Sequence, residues 1–203
     1  MKIDVFNDKF FLRRPDYSNP YYSQEAFTRS KNFSAKIIKE ASEQSKRILV
    51  FISHKHSDLD ALKPLIAMFE KEYNVTTYVD SRDPRMPEVT NAETAKRIKE
   101  IIQTCNKFIL LATNAAIESK WCNWELGYGD SYRFPKDIAI FPFDNNNNFK
   151  GNEYMKLYPH ISYYYGNEKY TDGRGITEGY YVVVEDKSEG LRHLTPLWKW
   201  FNS

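Results

Sequence analysis

Short runs rich in apolar and branched residues recur along the middle of the chain: Arg47–Ser53 (RILVFIS), Val75–Asp80 (VTTYVD), Lys107–Thr113 (KFILLAT) and Ile138–Phe143 (IAIFPF). The near absence of polar alternation in three of them predicts strands covered on both faces. Between the runs the apolar period lengthens. Leu62, Leu65, Ile66 and Phe69 fall at helical spacing, as do Ala95, Ile98, Ile101, Ile102 and Cys105, and a third helix is predicted through WCNWELGYGDSY at 121–132. Ser57 with Asp60, and Thr90 with Glu93, have the spacing of capping boxes that open the first two helices, while Pro64 is expected to kink or restart the first. Strands alternating with helices of about ten to fifteen residues predict right-handed crossovers on a parallel sheet. The expected fold is a doubly wound, flavodoxin-like α/β domain of about five parallel strands with helices on both faces.

The flanks carry weaker patterns. Residues 1–22, broken by RRP and SNP, predict an irregular arm, and Phe27, Phe33, Ile37, Ile38 and Ala41 predict a lead-in helix over Gln24–Gln44. Residues 1–45 are therefore assigned to an N-terminal extension and 46–203 to one domain, with no internal repeat. The segment SRDPRMPEV at 81–89 holds two prolines and predicts a long ordered loop. The tract DNNNN at 144–148 predicts a solvated loop, and the tyrosine-rich stretch up to Gly166 fits no single period. Tyr180–Val184 is expected to be the last strand, and Leu191–Phe201 a closing helix whose Leu194, Leu197, Trp198 and Phe201 face the sheet.

Composition narrows the function. Of 203 residues 41% are hydrophobic and 28% charged, and 29 basic residues nearly cancel 27 acidic ones, so the long-range field that gathers nucleic acid is weak. No apolar run approaches the roughly 18–20 residues of a membrane helix, and the N-terminal MKIDVFNDKFFLRRPD lacks the pattern of a secretory signal; a cytoplasmic protein without membrane or nucleic-acid partners is expected. Two cysteines, Cys105 and Cys122, are too few for a disulfide scaffold or a four-cysteine zinc site. His54 and His56 alternate at a strand end, but no third ligand has suitable spacing, and no metal is assigned.

In an open parallel sheet, ligands bind beyond the carboxyl ends of the strands. The residues there are Ser53, His54 and Lys55 after the first run, Asp80 after the second, and Thr113 and Asn114 after the third. The helix that follows carries Trp121 and Glu125, whose spacing of four places an indole and a carboxylate one turn apart on the same face. Plainer roles compete: a core tryptophan beside a solvated acid, Trp124 as the core residue, Asp80 as a loop cap, and Cys122 as a small buried side chain. Gly127 and Gly129 cost a helix about 1 kcal/mol each against alanine, which points to close packing or an early helix end. No strand is followed by G-x-G-x-x-G or a P-loop, and Leu111-Ala112-Thr113 stands where a phospho-acceptor receiver needs an aspartate.

Taken in order, VFISHKHSD at 50–58, YVD with the proline-bearing loop at 78–87, and SKWCNWELGYGD at 119–130 resemble a bacterial Toll/interleukin-1 receptor (TIR) domain of the NAD-consuming type. The resemblance covers about residues 46–143. It departs from the better-known animal members at 54–56, where His-Lys-His replaces a more arginine-rich stretch. It implies cleavage of the bond between nicotinamide and ribose in NAD+, giving nicotinamide and ADP-ribose, a cyclic isomer or a conjugate, in antiphage immune signalling. By position it implies Glu125 as the catalytic carboxylate, Trp121 as a stacking residue, and Ser53, His54, Lys55 and Asp80 as substrate-binding residues. No cofactor is needed beyond NAD+ as substrate. Self-association through TIR surfaces and a downstream effector sensing the product are the implied partners.

One acid suits this chemistry. Glycosidases use two carboxylates because an alkoxide must be protonated as it leaves. Nicotinamide leaves neutral from a ring nitrogen that is already cationic, so the remaining task is to stabilise an oxocarbenium-like ribose, which a carboxylate in a dry pocket does electrostatically. Two other readings stay open: a scaffold that recruits TIR domains through the proline-bearing loop, which carries Arg85 and Met86, and neighbouring helices, and an enzyme like the nucleoside 2-deoxyribosyltransferases.

Overall fold

A computed structural model describes residues 48–80, 91–133, 135–143, 153–186, 188 and 190–203. The predicted arm, the lead-in helix, the proline-bearing loop with Arg85 and Met86, Thr90 and the DNNNN tract lie outside the described residues.

The apolar runs become the parallel strands β1 (Leu49–Ser53), β2 (Thr76–Tyr78), β3 (Lys107–Ala112) and β4 (Ile138–Pro142). Helices α1 (Leu59–Glu72), α2 (Ala92–Thr104), α3 (Asn114–Glu118) and α4 (Lys120–Arg133) connect them, and β5 (His160–Tyr164), β6 (Gly179–Asp186), β7 (Leu191–Pro196) and α5 (Leu197–Phe201) complete the domain. The sheet order is β2-β1-β3-β4-β5-β6-β7. Its first five strands are all parallel, the doubly wound order 2-1-3-4-5. β6 and β7 then add antiparallel to that edge.

Because successive strand residues face opposite ways, each buried strand serves two cores. Val50, Ile52, Ile109, Leu111, Ala139 and Phe141 pack with α1 and α5 on one face. Leu49, Phe51, Phe108, Leu110, Ile138 and Ile140 pack with α2, α3 and α4 on the other. On this second face the rings of Tyr78, Phe51 and Phe108 stack across three adjacent strands, with centroids 5.6 and 5.3 Å apart. α1 ends where Asn74 takes a left-handed φ of 52°, a conformation asparagine tolerates better than most residues, and the chain turns directly into β2.

Several local expectations change. α2 is opened by Asn91, whose side chain accepts from the backbone of Glu93 and Thr94 while Asn91 N donates to Thr94 Oγ1, so the box sits one residue later than Thr90–Glu93. Ser57 and Asp60 form no box. A short 3-10 turn at His56–Asp58 precedes α1, Ser57 bonds Asp58, and Asp60 pairs with Lys63. α1 runs through Pro64 without restarting, because the donor that proline lacks would serve only the carbonyl of Asp60, an exposed first-turn residue.

The largest correction concerns the C-terminal part. Leu191–Pro196 is a strand and only Leu197–Phe201 is helical. Pairing of six consecutive residues with β6 outweighs the helical spacing of Leu194, Leu197, Trp198 and Phe201, and Pro196 biases Thr195 to extended backbone. Trp198 consequently points to solvent at 60% exposure rather than toward the sheet. The tyrosine-rich stretch contains β5, buried at every position and hence without alternation.

Candidate active site

At the carboxyl edge of the parallel strands, the ends of β1, β2 and β3 bring together Ser53, Asp80 and Thr113. α4 crosses beneath this edge on the second face. Its buried stripe is Cys122, Glu125, Leu126 and Gly129, at spacings of three, four and seven, so a carboxylate occupies a core position of the helix. Gly129 makes the close approach possible, since a Cβ there would stand 2.9 Å from the ring of Phe108 on β3.

Glu125 is 1% exposed, and across 72 residues of sequence Ser53 Oγ donates to its Oε2 at 2.5 Å. Its other oxygen, Oε1, is buried without a hydrogen-bond partner among the described residues. A buried acceptor left unpaired costs about 1–3 kcal/mol, so the fold carries this group at a penalty. Burial pushes the carboxyl well above the usual carboxylate range, and the charge of Asp80 adds to the rise; the Ser53 hydroxyl and the Trp121 side chain pull in the opposite direction. Burial thus weights Glu125 toward its neutral form relative to a solvated glutamate, and a cation or a donor entering beside Oε1 would oppose that bias.

The residues singled out in the sequence are placed unequally. His54 is buried and sets Nδ1 3.6 Å from Asp80 Oδ1 and 3.4 Å from the carbonyl of Ile52, tying the tip of β1 to the end of β2. His56 is exposed, away from buried His54. Lys55 is likewise exposed in the loop beyond β1. Trp121 is half-buried and packs on Trp124 with centroids 4.9 Å apart, the head of a row that continues through Tyr128 to Tyr132 along α4. Trp124 is half-buried against the second core. Cys122 lies beside the glutamate, but burial above all pushes its thiol up to about 11, which disfavours the nucleophilic thiolate.

Asp58 was not anticipated. It is buried, and its Oδ2 accepts from Thr113 Oγ1 at 2.5 Å, while the same hydroxyl oxygen caps α3 by accepting from Ala116 N. This latch fixes the loops after β1 and β3 relative to each other. Its sequence signal was Thr113 followed by a helix, the position of an N-cap. Asn123 also gains a role visible only in three dimensions: it donates to Ile117 O and accepts from Tyr154, joining α3, α4 and the segment before β5.

The first five strands of the sheet, parallel in the order 2-1-3-4-5, agree with a flavodoxin-like TIR fold, and residues 50–159 match the family described as TIR domain. The chain belongs to the TIR domain family. It is also 30% identical over 156 residues, covering 71% of this chain and 79% of the relative, to a protein of Bacillus cereus (strain MSX-D12) named Probable 3' cyclic ADP-D-ribose synthase ThsB'.

Proposed function

We propose that the protein cleaves the nicotinamide–ribose bond of NAD+ and releases nicotinamide with ADP-ribose or a cyclic isomer of it as a signalling nucleotide. The observation that carries this reading is the Ser53–Glu125 pair: a carboxyl 1% exposed, held at 2.5 Å by a strand-tip hydroxyl, with its second oxygen unpaired among the described residues. The name of the Bacillus cereus relative supports the same chemistry and favours a cyclic product.

In this reading Glu125 faces the ribose. The cationic pyridinium of NAD+ favours the ionised carboxyl as it docks, opposing the rise that burial imposes. As the C–N bond breaks, both electrons leave with the ring nitrogen and nicotinamide departs neutral, while the positive charge moves onto the ribose. The Glu125 carboxylate stabilises that charge in a low-dielectric setting where it acts strongly. Ser53 holds the carboxylate in place, Trp121 offers an indole face for stacking, and His54, Asp80 and the exposed Lys55 border the nucleotide. Attack by water gives ADP-ribose; attack by a hydroxyl of the adenosine half gives the cyclic isomer. Self-association through surfaces of the domain, and an effector that senses the product in antiphage signalling, belong to the same proposal.

The test is incubation of the purified chain with NAD+ over a range of protein concentrations, with products identified by chromatography and mass. Nicotinamide should appear with a nucleotide product, and Glu125→Gln should abolish both while keeping the circular dichroism of the wild type. A folded wild type that leaves NAD+ intact at every concentration would refute the reading and favour a scaffold; cleavage of deoxynucleosides alone would favour a deoxyribosyltransferase.

A further inference from the structure

Beyond the parallel core, the segment between β5 and β6 folds back over the second face of the antiparallel extension. Lys169 and Gly175 form a β-bridge, Tyr170 N donates to Arg174 O at 2.8 Å, and Ile176 N donates to Glu168 O at 2.9 Å. This closes a small hairpin whose Ile176 is buried with Tyr164, Tyr181 and Val183. Between the hairpin and β7 lies a cleft of about 760 Å³, within the usual size of small-ligand sites, and it shares no residue with the Ser53–Glu125 pair.

Its chemistry is two-sided. Tyr164, Tyr170 and Leu194 give it an apolar, aromatic floor. Lys169, Arg174 and Arg192 stand around it against two acids, Glu168 and Asp172, with His193 beside them. Asp172 is already committed to Arg174, with Nε–Oδ2 at 2.8 Å, and the Arg174 guanidinium lies over the Tyr170 ring at 5.6 Å. Among the described residues Arg192 keeps only a long 3.9 Å pairing with Glu185. The side chains of Lys169 and His193 have no hydrogen-bond or ion-pair partner among the described residues. Donors without partners beside an aromatic floor are complementary to a ligand with a flat ring at one end and an anion at the other.

We infer that this cleft is a second ligand site, one that takes a nucleoside monophosphate with its base against the aromatic floor and its phosphate between Lys169 and Arg192. The inference does not depend on Glu125 or on NAD+ cleavage.

Titration of the full chain with AMP by calorimetry tests it, with adenosine and inorganic phosphate as separate probes. AMP should bind more tightly than either fragment, and with equal affinity to wild type and Glu125→Gln. The double reversal Lys169→Glu/Arg192→Glu, at exposed positions and with an unchanged melting temperature, should weaken AMP at least about tenfold. Absence of AMP binding, or equal binding by the reversal variant, overturns the site. Loss of AMP binding in Glu125→Gln also overturns it, by moving the nucleotide to the strand tips, and leaves the proposed NAD+ chemistry standing.

Discussion

Replacing Glu125 by glutamine should stabilise the protein progressively as pH rises, even as it removes the proposed activity. The folded chain holds the Glu125 proton more tightly than the unfolded chain does, because burial and Asp80 raise the carboxyl. More protons bound in the folded state means that stability falls with rising pH. The wild type is therefore at full strength below the unfolded carboxyl range, near pH 4.3, and loses up to about 1.4 kcal/mol per pH unit above it until the folded carboxyl ionises. Glutamine does not titrate, so the difference between the two proteins reports the Glu125 carboxyl together with its coupling to Asp80. For a chain of this size about 1 kcal/mol moves the melting temperature by about 2–4 °C, so the gap should widen by up to about 3–6 °C per pH unit. The glutamine amide brings a pH-independent offset, since its NH2 must find a partner where Oε1 has none. The slope is thus the quantity to read. Thermal unfolding of both proteins by circular dichroism, at several values between about pH 4.5 and 7.5, measures it. A gap that stays constant across this window would refute the claim that burial raises the Glu125 carboxyl.

Two changes at the same site should move activity in opposite directions along the pH axis. Ser53→Ala removes a group that lowers the Glu125 carboxyl and should shift the rising limb of kcat/KM for NAD+ to higher pH, whereas Asp80→Asn removes a charge that raises it and should shift the limb lower; equal shifts of one sign would contradict the assignment. The two helix glycines should separate by packing. Gly127 is exposed with open space around its Cβ position, so Gly127→Ala should add up to about 1 kcal/mol, while Gly129→Ala, meeting the Phe108 ring at 2.9 Å, should lose about 1–3 kcal/mol in denaturant unfolding. Lys107, 1% exposed at the start of β3, bonds Asp137 at 2.5 Å and lies over Trp200 at 4.9 Å. Lys107→Met keeps the bulk but strands a partly exposed Asp137, and should cost about 1–3 kcal/mol by the same measurement.

What the chain reveals by itself follows from local rules. A strand buried on both faces must be apolar throughout, so RILVFIS, KFILLAT and IAIFPF announce a parallel sheet wherever they stand, and helices between them force the crossover topology. The Trp121–Glu125 spacing likewise places both residues on one side of a helix before any fold is known. Cap positions and the C-terminal strands were less legible. A capping box shifted by one residue looks equally good in sequence, and β7 shows a helical spacing that only its pairing with β6 overrides.

The state of Glu125 belongs to the tertiary structure alone. Nothing near it in sequence distinguishes a solvated surface acid from a buried one; that is settled by Gly129 letting α4 close on Phe108, and by Ser53 arriving from a strand 72 residues away. The same holds for the Asp58–Thr113 latch and for the cleft under the β5–β6 connection, which join residues distant along the chain. Local propensity acts over a turn or a strand, whereas burial and charge depend on everything within a few ångströms, and only the folded chain determines what that is.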